Sequence, residues 1–129
     1  MSASLLIQTK VFGILTTGLT PIVVYDAVPQ DTVAFPYVTI GDDTFNPFDG
    51  DDFTGFDSTL TIHTWSRTDG KAETKTIQGQ IYDLLHRANL TILGYNVITI
   101  DQVFEDSFTD TDGLTRHGVQ RYRILITKD

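Results

Sequence analysis

The stretch "STLTIHTWSRTDGKAETKTI", residues 58–77, decides how the rest of the chain is read. It begins as a strand and ends as a helix. In an extended chain alternate residues share a face. Leu60, Ile62 and Thr64 therefore point one way, and Thr61, His63 and Trp65 point the other. The first set suits packing beneath helices. The second falls on the face where an isolated antiparallel sheet shows mostly polar groups. Beyond Trp65 the spacing changes. Asp69 stands where a helix cap is expected, Glu73 suits the positive end of the dipole, and Ile77, Ile81, Leu84, Leu85 and Ala88 form a stripe ending near His86 and Arg87.

Working outward, residues 1–19 predict a first helix capped by Ser2 or Ser4, with Ile7, Val11, Ile14 and Leu15 on one stripe. Leu5, Phe12 and Leu19 widen that stripe, so the helix is expected to touch a neighbour as well as its own sheet. Gly18 and Pro21 end it. Ile22 to Tyr25 reads as a short edge strand closed by Pro29, and about 37–45 as a full strand. "FNPFDGDDFTGF", about 45–56, reads as a long acidic-aromatic hairpin loop, followed by a strand over about 57–67. "YNVITIDQVFEDSF" and "TRHGVQRYRILIT" form a second hairpin, with Asp112-Gly113 at its turn. In its last strand Tyr122, Ile124 and Ile126 alternate with Arg121, Arg123 and Leu125. The expectation is one α+β domain over 1–129: an antiparallel sheet of two hairpins plus a short edge strand, with two helices packed on one face.

Totals narrow the function. The 129 residues are 40% hydrophobic, enough for a core. With no cysteine there is neither a disulfide framework nor a thiolate metal site. Seventeen acidic against nine scattered basic residues give −8, which argues against a grip on nucleic acid. The N-terminus lacks the basic start of a signal peptide, and no apolar run reaches membrane-span length, so a soluble protein made in the cytoplasm is expected.

No chemistry-bearing motif survives inspection. A catalytic His63 would need a nucleophile within reach, and none of the candidates (Ser58, Ser66, Ser107) sits in a nucleophile elbow. His63, His86 and His117 are not at chelating spacing, and a calcium loop aligned on Gly113 would put Phe108 and Val119 at ligand positions. No cofactor is called for. Gly79, inside the second helix, is expected to mark close packing. Trp65, His63, Arg67, Arg121 and Arg123 instead make an outer face of the kind enriched in protein interfaces. Phe45, Phe48 and Phe53 are expected to order against a partner subunit.

The ordered set "VYDAVPQ", "FPYVTIGDD" and "LTIHTWSRTDGKAETKTIQGQIYDLLH" resembles the tail completion or tail terminator proteins of long-tailed phages, with relatives in prophages and gene transfer agents. Pro29, Pro36, Tyr37, Gly41, Trp65, Ser66, Arg67 and Gly70 fill the places of the family pattern. The resemblance spans about 1–127 and implies a structural virion protein, not an enzyme. Such subunits form a six-fold ring on the head-proximal end of the tail tube, stop its polymerisation and present a docking surface to the head connector. The implied partners are further copies of itself, the tube protein and connector proteins. DNA passes through the lumen without specific binding, and no membrane is involved. Asp49, Asp51 and Asp52 are then expected at the channel or its rim, where negative charge repels phosphate. A head–tail joining adaptor and a stand-alone acidic binding module are the alternatives.

Overall fold

In the computed structural model, which describes residues 2–31 and 33–129, two helices lie against a five-stranded sheet. The chain order is α1 (Ala3–Gly18), β1 (Val23–Tyr25), β2 (Tyr37–Pro47), β3 (Gly55–Ser66), α2 (Ala72–Leu85), β4 (Tyr95–Thr109) and β5 (Arg116–Lys128). In space the strands run β1-β2-β3-β5-β4. The two expected hairpins are present, β2 with β3 and β4 with β5, and the pairing of β3 with β5 joins them. The expected short edge strand is β1, which runs parallel to β2.

The core follows the alternation read from the sequence. Leu60, Ile62, Tyr122, Ile124 and Ile126 are all buried on the helix side, and Ile7, Val11, Leu15, Ile77, Ile81 and Leu85 close over them. Ser2 caps α1, its hydroxyl accepting from the Leu5 amide at 3.2 Å. The start of α2 differs from expectation. Lys71 occupies the cap position without a side-chain cap bond, and Asp69 lies outside the helix. The entry is fixed instead by Ser66, whose hydroxyl donates to Glu73 Oε1 at 2.6 Å and accepts from the Thr68 amide at 3.2 Å. Beyond α2, the Arg87 amide donates to the Ile100 carbonyl at 2.7 Å and its guanidinium pairs with Asp101, tying the helix end to β4.

Close packing of α2 falls elsewhere than expected. A β-carbon at Gly79 would meet nothing within 4 Å, whereas one at Gly118 on β5 would lie 2.5 Å from Gln78 Nε2 and 2.9 Å from Thr74 Cγ2. Gln78 and Gln120, both buried, form the polar part of this seam. Gln78 donates to the Asp106 carbonyl, and Gln120 donates to the Gln78 carbonyl, both at 2.9 Å.

The 45–56 loop is shorter than expected because the flanking strands continue into it. Phe45 and Phe56 lie on β2 and β3, stacked with centroids 4.5 Å apart against the molecule's own core. Only residues 48–54 form the connection, and it is closed by its own bonds: Phe48 N–H to the Gly55 carbonyl at 2.9 Å and Gly50 N–H to the Phe53 carbonyl at 3.0 Å.

The second turn rests on Asp112. Its carboxylate accepts from the Leu114 and Thr115 amides, both at 2.8 Å, and from the Thr115 hydroxyl at 2.7 Å, while Gly113 supplies the positive φ of 72°. Those bonds, led by the Thr115 amide, hold the Asp112 pKa down to about 2. The stabilisation is therefore full above the ordinary carboxylate range, near 4, and is lost as pH falls through about 2. Asp112→Asn, which cannot titrate, is expected to remove that part of the acid dependence, measured as unfolding midpoints between pH 5 and pH 2.

Candidate functional site: an aromatic row on the uncovered sheet face

Strand alternation places Tyr37, His63, Trp65, Phe108 and His117 on the face away from the helices, and register brings them together. Trp65 stands opposite Tyr37 on one side and His117 on the other, and Phe108 stands opposite His117. The result is a continuous row crossing all five strands: Tyr25, Tyr37, Trp65, His117 and Phe108. Successive ring centroids are 5.7, 6.2, 3.8 and 4.8 Å apart. The Trp65 indole N–H donates to the Thr39 hydroxyl at 3.1 Å. Phe35 packs on Tyr37 with ring centroids 5.0 Å apart, and the Arg67 guanidinium lies 4.4 Å from the centre of the Phe35 ring.

Beside Trp65, His63 Nδ1 and His117 Nε2 are 2.7 Å apart, close enough that one ring must donate to the other. Gly41 makes room for this arrangement, since a β-carbon there would sit 2.5 Å from His63 Nε2. Burial lowers both pKa values below the ordinary histidine range, helped at His117 by the His63 ring and opposed at His63 by Asp42 and at His117 by Asp110. The neutral pair is thus the folded form. Because the unfolded rings take up protons first as pH falls, stability is full above pH ~6.5 and declines below it. We expect His63→Gln with His117→Gln to flatten this decline, read as the thermal midpoint between pH 7.5 and pH 5.

The arrangement is an aromatic surface whose rings meet both stacked and edge-on. Ser58 and Ser66 lie buried on the helix side, so neither hydroxyl reaches His63 across the sheet. Among the described residues no three His, Cys, Asp or Glu side chains gather to hold a metal ion. Arg123 is held by Asp57 through two bonds of 3.0 and 2.7 Å, and Arg121 lies over the Phe104 ring at 5.2 Å. Phe48 packs edge-on to Phe53 at 5.9 Å, leaving Phe53 exposed beside Asp49, Asp51 and Asp52 in a shallow acidic cleft that also includes Lys128. The structure therefore gathers His63, Trp65 and Arg67 on one patch and sets Phe48, Phe53 and the three aspartates apart at a hairpin tip. His117, Phe108, Tyr25 and Phe104 were not singled out for this face by the sequence. Their place in it depends on inter-strand register, for which the sequence carries no local signal.

The model for the "Tail completion protein gp17" family matches residues 6–127. The chain belongs to that family. The tail completion protein gp17 of Bacillus phage SPP1 is 32% identical over 95 residues, covering 74% of this chain and 70% of the relative. The solved structure of bacteriophage SPP1 gp17 superposes with a TM-score of 0.65 at 28% identity, over 95% of this chain and 89% of that one. A chain of the native gene transfer agent virion shares the fold more closely, with a TM-score of 0.81 at 18% identity over 93% of each chain. Within this tail completion fold the motif residues have structural duties. Tyr37 and Trp65 form a cross-strand pair, Gly41 clears space for His63, Ser66 fixes the start of α2, and Gly70 takes a positive φ of 76°. No described helix is long and apolar enough to cross a membrane.

Proposed function

We propose that this chain is a structural virion protein that caps the head-proximal end of a phage-type tail tube as a hexameric ring. The ring ends tube polymerisation and offers a docking surface to the head connector. The observation that carries this reading is the family match along nearly the whole chain, 6–127. The geometry supports it: the uncovered face is an aromatic surface suited to subunit or partner contact, with His63, Trp65, Arg67, Arg121 and Arg123 on it. The hairpin with Phe45 at its base and Phe48 and Phe53 at its tip makes a second contact. Asp49, Asp51 and Asp52 line the channel or its rim, where six chains of net charge −8 each repel DNA and let it slide.

The purified chain added to tail tubes is expected to cosediment with them and to appear at one end in electron micrographs. A chain that ignores tubes and stays in the supernatant would favour a stand-alone acidic binding module. In a ring structure, Asp49, Asp51 and Asp52 on the outer wall with Lys and Arg facing the bore would overturn their proposed placement.

A further inference from the structure

The histidines are too far apart in sequence to chelate, but the sheet brings two of them together. His63 on β3 and His117 on β5 are 54 residues apart in the chain, yet His63 Nδ1 and His117 Nε2 face each other across 2.7 Å. Two imidazole nitrogens bound side by side to one ion at ~2.0–2.1 Å stand roughly 2.9 Å apart at a right angle and roughly 3.4 Å apart at a tetrahedral one. The pair therefore reaches the first geometry by opening roughly 0.2 Å, with a small turn of each ring so that both lone pairs converge. Burial holds both rings neutral, while Asp42 beside His63 and Asp110 beside His117 draw positive charge toward them. In the neutral pair one ring carries its proton on the facing nitrogen. Moving that proton to the other nitrogen of the same ring presents two lone pairs to an ion and releases no proton.

The pair is within reach of solvent. Both rings are half-buried, and His63 lines an open hollow of roughly 520 Å³ together with Asp42, Asp43, Thr59, Thr61 and Arg121. Arg121 is the opposing charge there, and its guanidinium is turned over the Phe104 ring. Gly41 backs His63, and Trp65 stacks on His117 with centroids 3.8 Å apart, so both rings are held at their meeting point. We infer that His63 and His117 bind one divalent transition-metal ion of the Cu²⁺, Ni²⁺ or Zn²⁺ kind through these two facing nitrogens. Imidazole selects such ions over Mg²⁺ and Ca²⁺, which take oxygen ligands. Among the described residues no third ligating side chain gathers with the pair, so water fills the remaining positions and the site stays open on the uncovered sheet face. The ion ties β3 to β5 directly. This site stands apart from the tail reading and holds whether or not the chain caps a tube.

The test uses the full-length chain without an affinity tag, titrated with Cu²⁺, Ni²⁺ and Zn²⁺ by calorimetry and by fluorescence near neutral pH. Trp65 is the one tryptophan, and its stacking on His117 makes it the reporter. One ion per chain is expected, Cu²⁺ held tightest. Cu²⁺ and Ni²⁺ should quench the indole emission, and closed-shell Zn²⁺ should bind without quenching. His63→Gln and His117→Gln are each expected to weaken binding by at least the ~10–100-fold that loss of even a supporting partner costs at a metal site. His86→Gln, at the remaining histidine, whose Nδ1 accepts from the Gln102 amide, is expected to leave binding unchanged. Circular dichroism checks the fold of each variant. Electron paramagnetic resonance of Cu²⁺ on the unaltered chain needs no variant and should show two imidazole nitrogens around the ion. No binding of any of the three ions, binding retained in full by both the His63 and the His117 variant, or a Cu²⁺ spectrum without two nitrogens would overturn the site.

Discussion

Trp65→Ala is expected to lower the free energy of unfolding by about 3 kcal/mol, the low end for large aromatic truncations because the indole is only half-buried. Trp65 sits in the middle of the aromatic row, with His117 at 3.8 Å, His63 at 5.9 Å and Tyr37 at 6.2 Å between centroids. Its removal also leaves the Thr39 hydroxyl without its indole donor. The loss is read from urea unfolding followed by far-ultraviolet circular dichroism, with the slope unchanged and the midpoint lowered. Tube binding should fall in parallel if the row is a contact surface. An unchanged midpoint together with wild-type tube binding would show that the row serves neither the fold nor assembly.

Gly118→Val is expected to be comparably damaging, for the opposite reason. The position is buried on β5 beneath α2, and even the first added carbon would stand 2.5 Å from Gln78 Nε2. Gln78 cannot swing aside without losing its bond to the Asp106 carbonyl, and Thr74, also buried, blocks the neighbouring space. Overpacking of this kind costs about 1–3 kcal/mol, and a branched side chain at such a contact belongs at the upper end. Gly79→Ala, on the exposed side of the same helix where a β-carbon meets nothing, is expected to be neutral or slightly stabilising, since alanine is the better helix former by up to about 1 kcal/mol. The contrast between the two glycines, measured in the same unfolding assay, checks that α2 sits against β5 as described.

Those glycines show where sequence reading stops. Alternation within β3 and β5 assigned Leu60, Ile62, Tyr122, Ile124 and Ile126 to one face and His63, Trp65, Arg121 and Arg123 to the other, because period-two patterning is local. The sequence reading has Gly79 mark close packing, yet the contact belongs to Gly118, where glycine is required by the distance between two elements remote in sequence. Asp69 had the composition of a cap, but Ser66 and Glu73 fix the entry to α2 across the end of β3. Phe45 and Phe56 sat among loop-forming residues, and only the pairing of Asn46 with Asp57 and Pro47 with Phe56 carries the strands past them. The parallel setting of β1 was likewise invisible, since a three-residue strand has the same pattern in either direction. The candidate face was legible as a kind of surface. That His117 lies under Trp65 and bonds to His63 required the register of β3 on β5.

The measurement that bears most directly on the central claim is tail length, by electron microscopy, in particles assembled without this gene product. The account predicts overlong or variable tube-like tails lacking heads, because nothing ends tube growth. Tails of normal length lying apart from full heads would contradict the terminator role and make the chain a joining adaptor. Intact, infectious particles would contradict a role in tail completion altogether.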